Sequence, residues 1–290
     1  MPKMIYLDGA IVPEADAKIS VLDHGVLYGD GVFEGIRGYN GRIFRLDEHL
    51  DRLYESARSI SMDIPIEWAE MEKAVVDTVN ANGLRDCYIR LVVTRGPGDL
   101  GLDPRKCPRP TVFVIADRIT LFPAELYDKG LAVMSVSTRR TAPDALSPRV
   151  KSLNYLNNIM AKILANIAGM PEVIMLNPQG YVVEGTGDNI FIIRKGKIMT
   201  PPLYLGILEG ITRNAVMEIA RSMDIEVAEE AFALHDVYVA DECFLTGTAA
   251  EVIPVVSADG RRIGSGEPGP ITKKLIRAFR DLANSTGTPI

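Results

Sequence analysis

Residues 31–44, GVFEGIRGYNGRIF, predict a β-hairpin near the start of the chain. Apolar and small residues suited to a strand lie on both sides of Asn40-Gly41, the dipeptide that a two-residue hairpin turn favours. Met4–Leu7 and Ala10–Val12 flank Asp8-Gly9 in the same way. Two such hairpins favour antiparallel sheet over the strand–helix–strand repeats of a doubly wound fold.

The rest of the chain mixes strand-like and helix-like patterns. Predicted strands are Gly31–Tyr39, Arg42–Phe44, Cys87–Arg95, Thr111–Ala116, Leu131–Thr138, Glu172–Leu176, Tyr181–Glu184, Asn189–Ile193 and Glu242–Leu245. Predicted helices are Asp47–Ser61, Asn154–Ala168, Ile211–Met223 and Pro270–Leu282, and a further helix is predicted to begin near Asp63 and Pro65 and to stop at Gly83. The predicted apolar face of Asn154–Ala168 consists of Leu156, Ile159, Met160 and Ile163. The fold class is therefore α+β, with mixed or antiparallel sheets and packed helices.

The length of 290 residues predicts two domains. We expect a small N-terminal α+β domain at residues 1–118, a weakly patterned linker at 119–130, and a larger C-terminal domain at 131–290.

Composition disfavours several classes of protein. A net charge of −6 argues against a binder of nucleic acid or of an anionic membrane. The longest apolar stretches, such as Val112–Ala116 and Ile190–Ile193, fall far short of the roughly 18 residues that a membrane span needs. The apolar run at the N-terminus breaks at Asp8, too early for a signal peptide.

Cysteine and histidine usage predicts a cytoplasmic protein without a metal site. Cys87, Cys107 and Cys243 are odd in number and too widely spaced for a disulfide framework or a metal knuckle, so a reducing compartment fits. The three histidines form no HExxH motif and no close cluster with cysteine.

Three small-residue segments could cradle an anion or could be ordinary turns. Gly29–Gly35 lacks both GK[ST] and the GxGxxG spacing, so a bulge or a close backbone approach is favoured over a nucleotide loop. Gly210–Arg213 opens an amphipathic helix whose unpaired N–H groups suit a phosphate, although a plain helix start has the same pattern. Thr246–Ala250 follows a strand and could be a second anion cradle or only a turn.

Single charged residues are equally open to two interpretations. Lys151 stands before a helix, where the helix dipole disfavours a cation, so it is either a catalytic lysine or a solvated one. Glu184 joins two hydrophobic strands and is either a turn residue or a carboxylate directed into a cleft. The helical pattern alone places Arg52 on the solvated face, within reach of Glu48.

Seven ordered blocks resemble the fold-type-IV pyridoxal-phosphate enzymes, and most of all the branched-chain amino acid aminotransferases. The resemblance extends from about residue 4 to residue 285. The blocks are HGVLYGDGVFEGIRGY (24–39), EHLDRLYESA (48–57), YIRLVVTRG (88–96), KSLNYLNN (151–158), VVEGTGDNIF (182–191), ILEGITR (207–213) and TGTAAEVIPV (246–255).

The resemblance implies two domains with the active site in the cleft between them and with the cofactor lysine on the larger, C-terminal domain. It implies that Lys151 forms a Schiff base with pyridoxal 5′-phosphate and that Glu184 pairs with the pyridine nitrogen. Tyr155 would hydrogen-bond the ring hydroxyl, and Leu208 would pack near the ring. The phosphate would be held by Arg52, Gly210, Ile211, Thr212 and Thr248, which revises the solvated interpretation of Arg52.

The implied substrate pocket consists of Phe33, Gly35, Arg37, Tyr88, Arg90, Thr248 and Ala249, with Tyr28 and Leu102 contributed by a neighbouring subunit. Arg90 and Tyr28 would receive the second carboxylate of glutamate, and Phe33, Tyr155 and Leu102 would supply an apolar wall. A homodimer or a larger homo-oligomer would then be the active form.

The implied activity is transfer of the amino group of L-leucine, L-isoleucine or L-valine to 2-oxoglutarate. D-amino acid aminotransferase shares the lysine, the glutamate and the phosphate grip, but that family carries an Arg-x-His pair in the loop that is Gly96–Leu102 here, and this chain has no such pair. Aminodeoxychorismate lyase would not need Tyr88 and Arg90 in this arrangement. A catalytically silent binding protein on the same scaffold is disfavoured because Lys151 and Glu184 are both present.

Overall fold

The computed structural model describes residues 2–119 and 121–290. It contains two compact units, and strands and helices are numbered here in order along the chain. The first unit consists of Met1–Ile119, Val150–Asn154 and Ala283–Ile290, and the second of Thr120–Arg149 and Tyr155–Leu282. Among the described residues, no helix has both the length and the apolar character needed to cross a membrane.

The first unit contains a seven-stranded antiparallel sheet in the order β16-β4-β3-β5-β6-β1-β2. Its strands are β1 (Met4–Leu7), β2 (Ala10–Pro13), β3 (Gly31–Tyr39), β4 (Arg42–Ile43), β5 (Cys87–Thr94), β6 (Thr111–Asp117) and β16 (Thr288–Pro289). Both predicted hairpins are present, with positive φ at Asp8, Gly9, Asn40 and Gly41. The local turn chemistry was therefore sufficient to predict this part of the sheet.

Helices α1 (His24–Tyr28), α2 (Leu46–Ser59) and α3 (Trp68–Ala81) belong to the same unit. In α2, Leu46, Leu50, Leu53 and Ala57 recur at helical spacing and are buried in the core. The predicted start of α3 near Asp63 and Pro65 was wrong. The Glu67 N–H donates to Glu70 Oε2, a reciprocal cap typical of a helix start, four residues after Asp63.

Residues 150–154 pair with the part of β3 that β4 does not cover. The Leu153 N–H donates to the Gly31 carbonyl (2.9 Å), and Val32 bridges to Ser152. This pairing groups Lys151 with the N-terminal unit, whereas we expected it on residues 131–290. The chain also returns to this unit at its C-terminus, since β16 pairs with β4. Pairings between residues so far apart in sequence leave no local pattern.

The second unit contains a nine-stranded mixed sheet in the order β12-β11-β10-β13-β14-β7-β8-β9, with β15 beside β14. Its strands are β7 (Leu131–Ser135), β8 (Glu172–Leu176), β9 (Val182–Glu184), β10 (Asn189–Arg194), β11 (Lys197–Thr200), β12 (Val227–Glu229), β13 (Glu242–Gly247), β14 (Glu251–Ala258) and β15 (Arg261–Arg262). The pairs β7–β8, β7–β14 and β11–β12 are parallel. Strand β9 also pairs with β10, at Glu184 and Asn189, so the sheet closes on itself there.

Five helices accompany this sheet: α4 (Ala124–Lys129), α5 (Leu156–Ile167), α6 (Ile211–Ser222), α7 (Leu234–Tyr238) and α8 (Pro270–Ser285). Helix α4 occupies much of the segment predicted as the linker, and residues 120–130 belong to the second unit.

Helix α5 differs from the sequence prediction in the side that it buries. Ala161 and Ala165 are fully buried against the sheet, because small side chains allow a close approach. The four residues predicted as its apolar face are exposed instead, with Leu156 at 68%.

Candidate active site

Lys151 is held on the first unit by two elements. The Phe33 N–H donates to the Lys151 carbonyl (3.0 Å), and the Lys151 N–H donates to Ser56 Oγ on α2 (3.2 Å). The half-buried side chain carries its Nζ to 4.9 Å from the centroid of the Phe33 ring. The backbone is thereby fixed, and the amine is presented over an aromatic face.

Strands β3 and β5 bring the predicted substrate residues together around Phe33. Because side chains alternate along a strand, Phe33, Gly35 and Arg37 share one face of β3, and in the pairing Gly35 lies opposite Arg90 and Arg37 opposite Tyr88. Arg90 Nη2 donates to Tyr88 Oη (2.9 Å), and Arg90 Cζ lies 4.6 Å from the centroid of the Phe33 ring. A Cβ at Gly35 would collide with Tyr88 Oη, so only glycine permits this arrangement.

The predicted partner-subunit residues lie on an exposed part of the first unit. Tyr28 Oη donates to the Leu100 carbonyl (2.6 Å), which ties α1 to the loop that carries Leu102. Tyr28 and Leu102 are both exposed, Leu102 by 79%.

The opposite face of β3 carries a carboxylate that the sequence prediction did not single out. Glu34 is fully buried and accepts three hydrogen bonds from α2. Arg52 donates from Nε to Oε1 and from Nη2 to Oε2, each at 2.7 Å, and His49 Nδ1 lies 2.7 Å from Oε2. The helical pattern alone placed Arg52 on the solvated face, and that placement was wrong: Arg52 is buried with Glu34, while Glu48 pairs with Arg45 (3.0 Å).

Burial and charge act in opposite directions on this cluster. Burial alone would raise the pKa of Glu34, but the Arg52 charge and the His49 contact hold that pKa well below its usual range. Burial lowers the pKa of His49; Glu34 opposes that shift, and the positive charges of Arg52 and Lys151 add to it.

A second buried carboxylate, Glu184, lies in the second unit at the end of β9. Arg140 donates from Nε to Glu184 Oε1 (2.6 Å), and the Leu208 N–H donates to Oε2 (3.0 Å). Asn189 Nδ2 lies 3.4 Å from the same Oε2. Arg140 is oriented in turn by Asn158, whose Oδ1 accepts from Arg140 Nη1 (3.0 Å).

Glu184 lines a small cavity of the second unit. The lining residues are Arg140, Tyr155, Asn158, Glu184, Thr186, Gly187, Asp188, Asn189 and Leu208. Three predicted cofactor residues, Tyr155, Glu184 and Leu208, therefore meet at one cavity.

The start of α6 and the end of β13 form the predicted phosphate region. Gly210 precedes α6 without a side-chain cap from any described residue, and a Cβ at Gly210 would collide with Asn189 Oδ1. Asn189 pairs with Thr246 across the sheet. Within residues 2–119 and 121–290, the buried hydroxyl of Thr246 has no hydrogen-bond partner. An uncapped helix start and an orphaned hydroxyl suit a bound anion.

Comparison with known proteins shows which family this chain belongs to. The family model for class IV aminotransferases matches residues 31–258. This chain belongs to the class IV aminotransferases.

Individual similar proteins match nearly the whole length of the chain. A protein of Methanocaldococcus jannaschii, provisionally named a branched-chain-amino-acid aminotransferase, is 56% identical over 286 residues, which cover 99% of this chain and 98% of that protein. The T.th. branched-chain amino acid aminotransferase complexed with N-(5′-phosphopyridoxyl)-L-glutamate is 38% identical, with a TM-score of 0.93 over 98% of this chain and 95% of that one. The same enzyme has been solved with pyridoxamine 5′-phosphate and with 4-methylvaleric acid.

A third similar protein is archaeal. The branched-chain aminotransferase of Thermoproteus uzoniensis, solved with norvaline, is 42% identical, with a TM-score of 0.90 over 97% of this chain and 95% of that one. The resemblance, the α+β fold and the assignment to the pyridoxal-phosphate-dependent aminotransferases are confirmed.

The aminotransferase has chemical groups of the kinds that would bind pyridoxal phosphate. Lys151 has a primary amine that could take the aldehyde, and Glu184 has a carboxylate at a cavity that could pair with the ring nitrogen. Thr246 and the start of α6 have hydroxyl and N–H groups that could bind the phosphate. The residues present therefore fit the cofactor.

Sequence reasoning missed Arg140, Glu34 and His49. Arg140 follows β7 in an irregular segment, where no periodic pattern marks it. Glu34 could have been found from strand alternation, because its side chain is on the other face of β3 from Phe33. That face packs against the helix on which His49 and Arg52 stand three residues apart.

Proposed function

We propose that the aminotransferase moves the amino group of L-leucine, L-isoleucine or L-valine to 2-oxoglutarate, forming the branched 2-oxo acid and L-glutamate. The observation that carries this proposal is the contact of Arg90 on β5 with Phe33 on β3, whose ring centroid lies 4.6 Å from Arg90 Cζ. A guanidinium beside an aromatic ring can receive either a carboxylate or an apolar side chain. A transaminase with both substrates needs both properties in one pocket.

Lys151 would act as the covalent anchor and the proton carrier. Pyridoxal phosphate, when bound, supplies an aldehyde that takes up amino groups and a ring that accepts electrons from the substrate α-carbon. Lys151 Nζ would hold the aldehyde between turnovers and, once released, would take the proton from the α-carbon. Its location over the Phe33 ring, with its backbone fixed by Ser56, supports an oriented amine.

Glu184 would keep the pyridine nitrogen protonated as its carboxylate partner. The Arg140 bond and the Leu208 N–H orient that carboxylate at the cavity, which supports this role. Tyr155 lines the same cavity and would hydrogen-bond the ring hydroxyl, while Leu208 would pack near the ring.

The phosphate would be bound by Arg52, Thr248 and the first N–H groups of α6, at Ile211 and Thr212 after Gly210. The uncapped start of α6 supports this proposal, because a helix N-terminus favours an anion. Thr246 would add its buried hydroxyl.

Arg90, with Tyr28 of a second copy, would receive the second carboxylate of glutamate, and the remaining pocket residues, Tyr88 among them, would shape the space for the side chain. Gly35 supports this role because it leaves room for the Tyr88 hydroxyl. Arg37, Thr248 and Ala249 would complete the pocket on the substrate side.

A second copy of the chain would contribute Tyr28 and Leu102 to the pocket, so that the active form is a homodimer or a larger homo-oligomer. Val21, Val26, Leu100 and Leu102 are 58–79% exposed. The bonds from Tyr28 to Leu100 and from the Gly98 N–H to the Leu22 carbonyl hold together the two segments that carry these exposed apolar side chains. Large exposed apolar surfaces commonly mark protein–protein contacts.

A reducing cytoplasm would be the site of action. The three cysteines are free thiols in the structure, which is in keeping with that location.

Chemical trapping with a half-reaction panel tests the proposal. Borohydride reduction of the holoenzyme should attach the cofactor to Lys151, as located by peptide mass spectrometry. Lys151→Ala should reduce kcat to at most about 10⁻³ of the wild-type value, because it removes both the covalent anchor and the base. Lys73→Ala, at an exposed lysine of the same unit, is the matched control.

The panel consists of L- and D-leucine and L- and D-glutamate, each followed through the absorption band of the cofactor. Both L-forms should convert the cofactor, and the D-forms should not. An adduct on another lysine would contradict the role of Lys151, and conversion by D-leucine alone would indicate a D-amino acid aminotransferase.

A further inference from the structure

The Glu34 cluster contains more ionic groups than the stability of the fold requires. Burying an ion pair gains little over an apolar pair of similar volume, because both ions lose their hydration. Yet Glu34, Arg52 and His49 lie together in the core between β3 and α2, joined by contacts of 2.7 Å. Such a cluster is therefore expected to serve a purpose other than stability.

The hydrogen bonds of the Glu34 cluster fix both the position and the orientation of the Arg52 side chain. Glu34 accepts from Nε and Nη2 of Arg52 at once, and this two-point contact sets the plane of the guanidinium as well as its position. His49 Nδ1 reaches Glu34 Oε2, so the carboxylate is itself held from a second side. Burial lowers the pKa of His49, which favours the neutral ring, and a neutral ring can donate from Nδ1 without adding a charge.

The cluster also shares its framework with Lys151. Glu34 lies between Phe33, whose N–H binds the Lys151 carbonyl, and Gly35 on the substrate face of β3. Helix α2 carries His49, Arg52 and the Ser56 hydroxyl that accepts the Lys151 N–H. The same strand and helix thus fix the guanidinium and the lysine.

In pyridoxal phosphate the aldehyde and the phosphate arm stand on adjacent ring carbons, so the distance between phosphate and aldehyde can vary only over a short range. An arginine that binds the phosphate must therefore stand at a set place relative to the amine that binds the aldehyde. We propose that Glu34, supported by His49, is a positioning residue that holds the Arg52 guanidinium for the cofactor phosphate. This inference rests on the proposed roles of Arg52 and Lys151.

The test compares two cofactors that differ only in the phosphate. Apoprotein is titrated with pyridoxal 5′-phosphate and with pyridoxal, and each apparent Kd is read from absorbance. Glu34→Gln should weaken pyridoxal phosphate by about 10- to 100-fold, the usual value of a charge-assisted hydrogen bond, and pyridoxal by less than about 3-fold. The phosphorus NMR signal of the bound cofactor should shift as well.

A control and a second variant separate positioning from loss of fold. Glu242→Gln removes a similarly buried carboxylate, which accepts from Ile271 and Thr272 at the start of α8. It should lower the melting temperature and leave the ratio of the two Kd values unchanged. If Glu34→Gln does not fold, Glu34→Asp keeps the charge but shortens the reach to Arg52, and the same selective loss is expected.

A double-mutant cycle with Arg52→Gln decides the inference. In that background, Glu34→Gln should change the Kd of pyridoxal phosphate by less than about 3-fold, because the group it positions is absent. Equal losses for both cofactors, or additive losses in the cycle, would overturn the positioning role. If Arg52→Gln itself binds both cofactors normally while borohydride still labels Lys151, the phosphate role of Arg52 fails and the role of Lys151 stands.

Discussion

Two buried glutamates, one in each unit, are paired with an arginine in different ways. Glu34 accepts two bonds from Arg52 and one from His49, and it is sealed inside the core of the first unit. Glu184 accepts from Arg140, from the Leu208 N–H and, at 3.4 Å, from Asn189 Nδ2, and it lines a cavity of the second unit. A carboxylate enclosed by internal donors can only orient protein groups, whereas one that borders a cavity can also meet a ligand.

The two arginine–glutamate pairs therefore have different proposed roles, positioning of a protein group at Glu34 and binding of the cofactor ring at Glu184. The donors to Glu34 come from one helix, so the pair makes α2 and β3 rigid relative to each other. The donors to Glu184 come from three separate places, namely the loop residue Arg140, the Leu208 N–H and Asn189 on β10, and all three residues line the cavity.

Among the residues of these two clusters, the largest effect is expected at Glu184. Glu184→Gln removes the negative charge from the cavity while keeping the shape, so kcat should fall by about 10²–10³-fold, as for loss of one preorganised electrostatic contact. Steady-state kinetics at saturating cofactor would measure it, with Glu242→Gln as the control because its carboxylate caps α8. A variant with more than half of the wild-type kcat would contradict the role of Glu184.

A smaller effect is expected at Arg140, which holds Glu184 without being predicted to touch substrate. Arg140→Met leaves a buried carboxylate oxygen without its charged donor, so the free energy of unfolding should fall by about 1–3 kcal/mol. Arg140→Lys keeps the charge but loses the planar fork that reaches both Glu184 and Asn158, and it should restore only part of the loss. Denaturant unfolding measures both variants, and full restoration by lysine would show that charge alone suffices.

The smallest effect is a pH dependence at His49. The pKa of His49 is lowered in the folded state from 6.5, so the stability it contributes is complete above pH 6.5 and is lost as the pH falls below that value. Between pH 7.5 and 5.5 the wild type should therefore lose more unfolding free energy than His49→Gln. The opposite order would show that a protonated imidazole pairs with Glu34 in the folded protein.

Local patterns predicted the elements that depend on neighbouring residues. The hairpin turns at Asp8-Gly9 and Asn40-Gly41, and the strand Gly31–Tyr39, agree with the structure because turn residues and alternation act over a few positions. Helix α5 was placed correctly, but its buried side was not, since alanines face the sheet and larger apolar residues face outward. Which side of a helix is covered depends on what packs there.

The residues of the candidate active site also divide into those that local sequence predicts and those that depend on the fold. The motif blocks named Lys151 and Glu184, because their neighbours in sequence carry the resemblance. No neighbouring residue marks Arg140 as the partner of Glu184, 44 positions away, or β3 as the support of Lys151. Such pairs become visible only when the chain has folded.

The amino-acid sequence by itself determined the family, the α+β class, the hairpins and the identity of the proposed cofactor lysine, because these depend on residue type and short spacing. Only the tertiary structure decided that Lys151 belongs with β3 and α2, that Arg52 is buried against Glu34, and that Arg140 orients Glu184. Burial and ion pairing are properties of groups that the fold brings together in space. The partners of a buried carboxylate can therefore be identified only from the folded structure, in which water is removed from the carboxylate and from its partner.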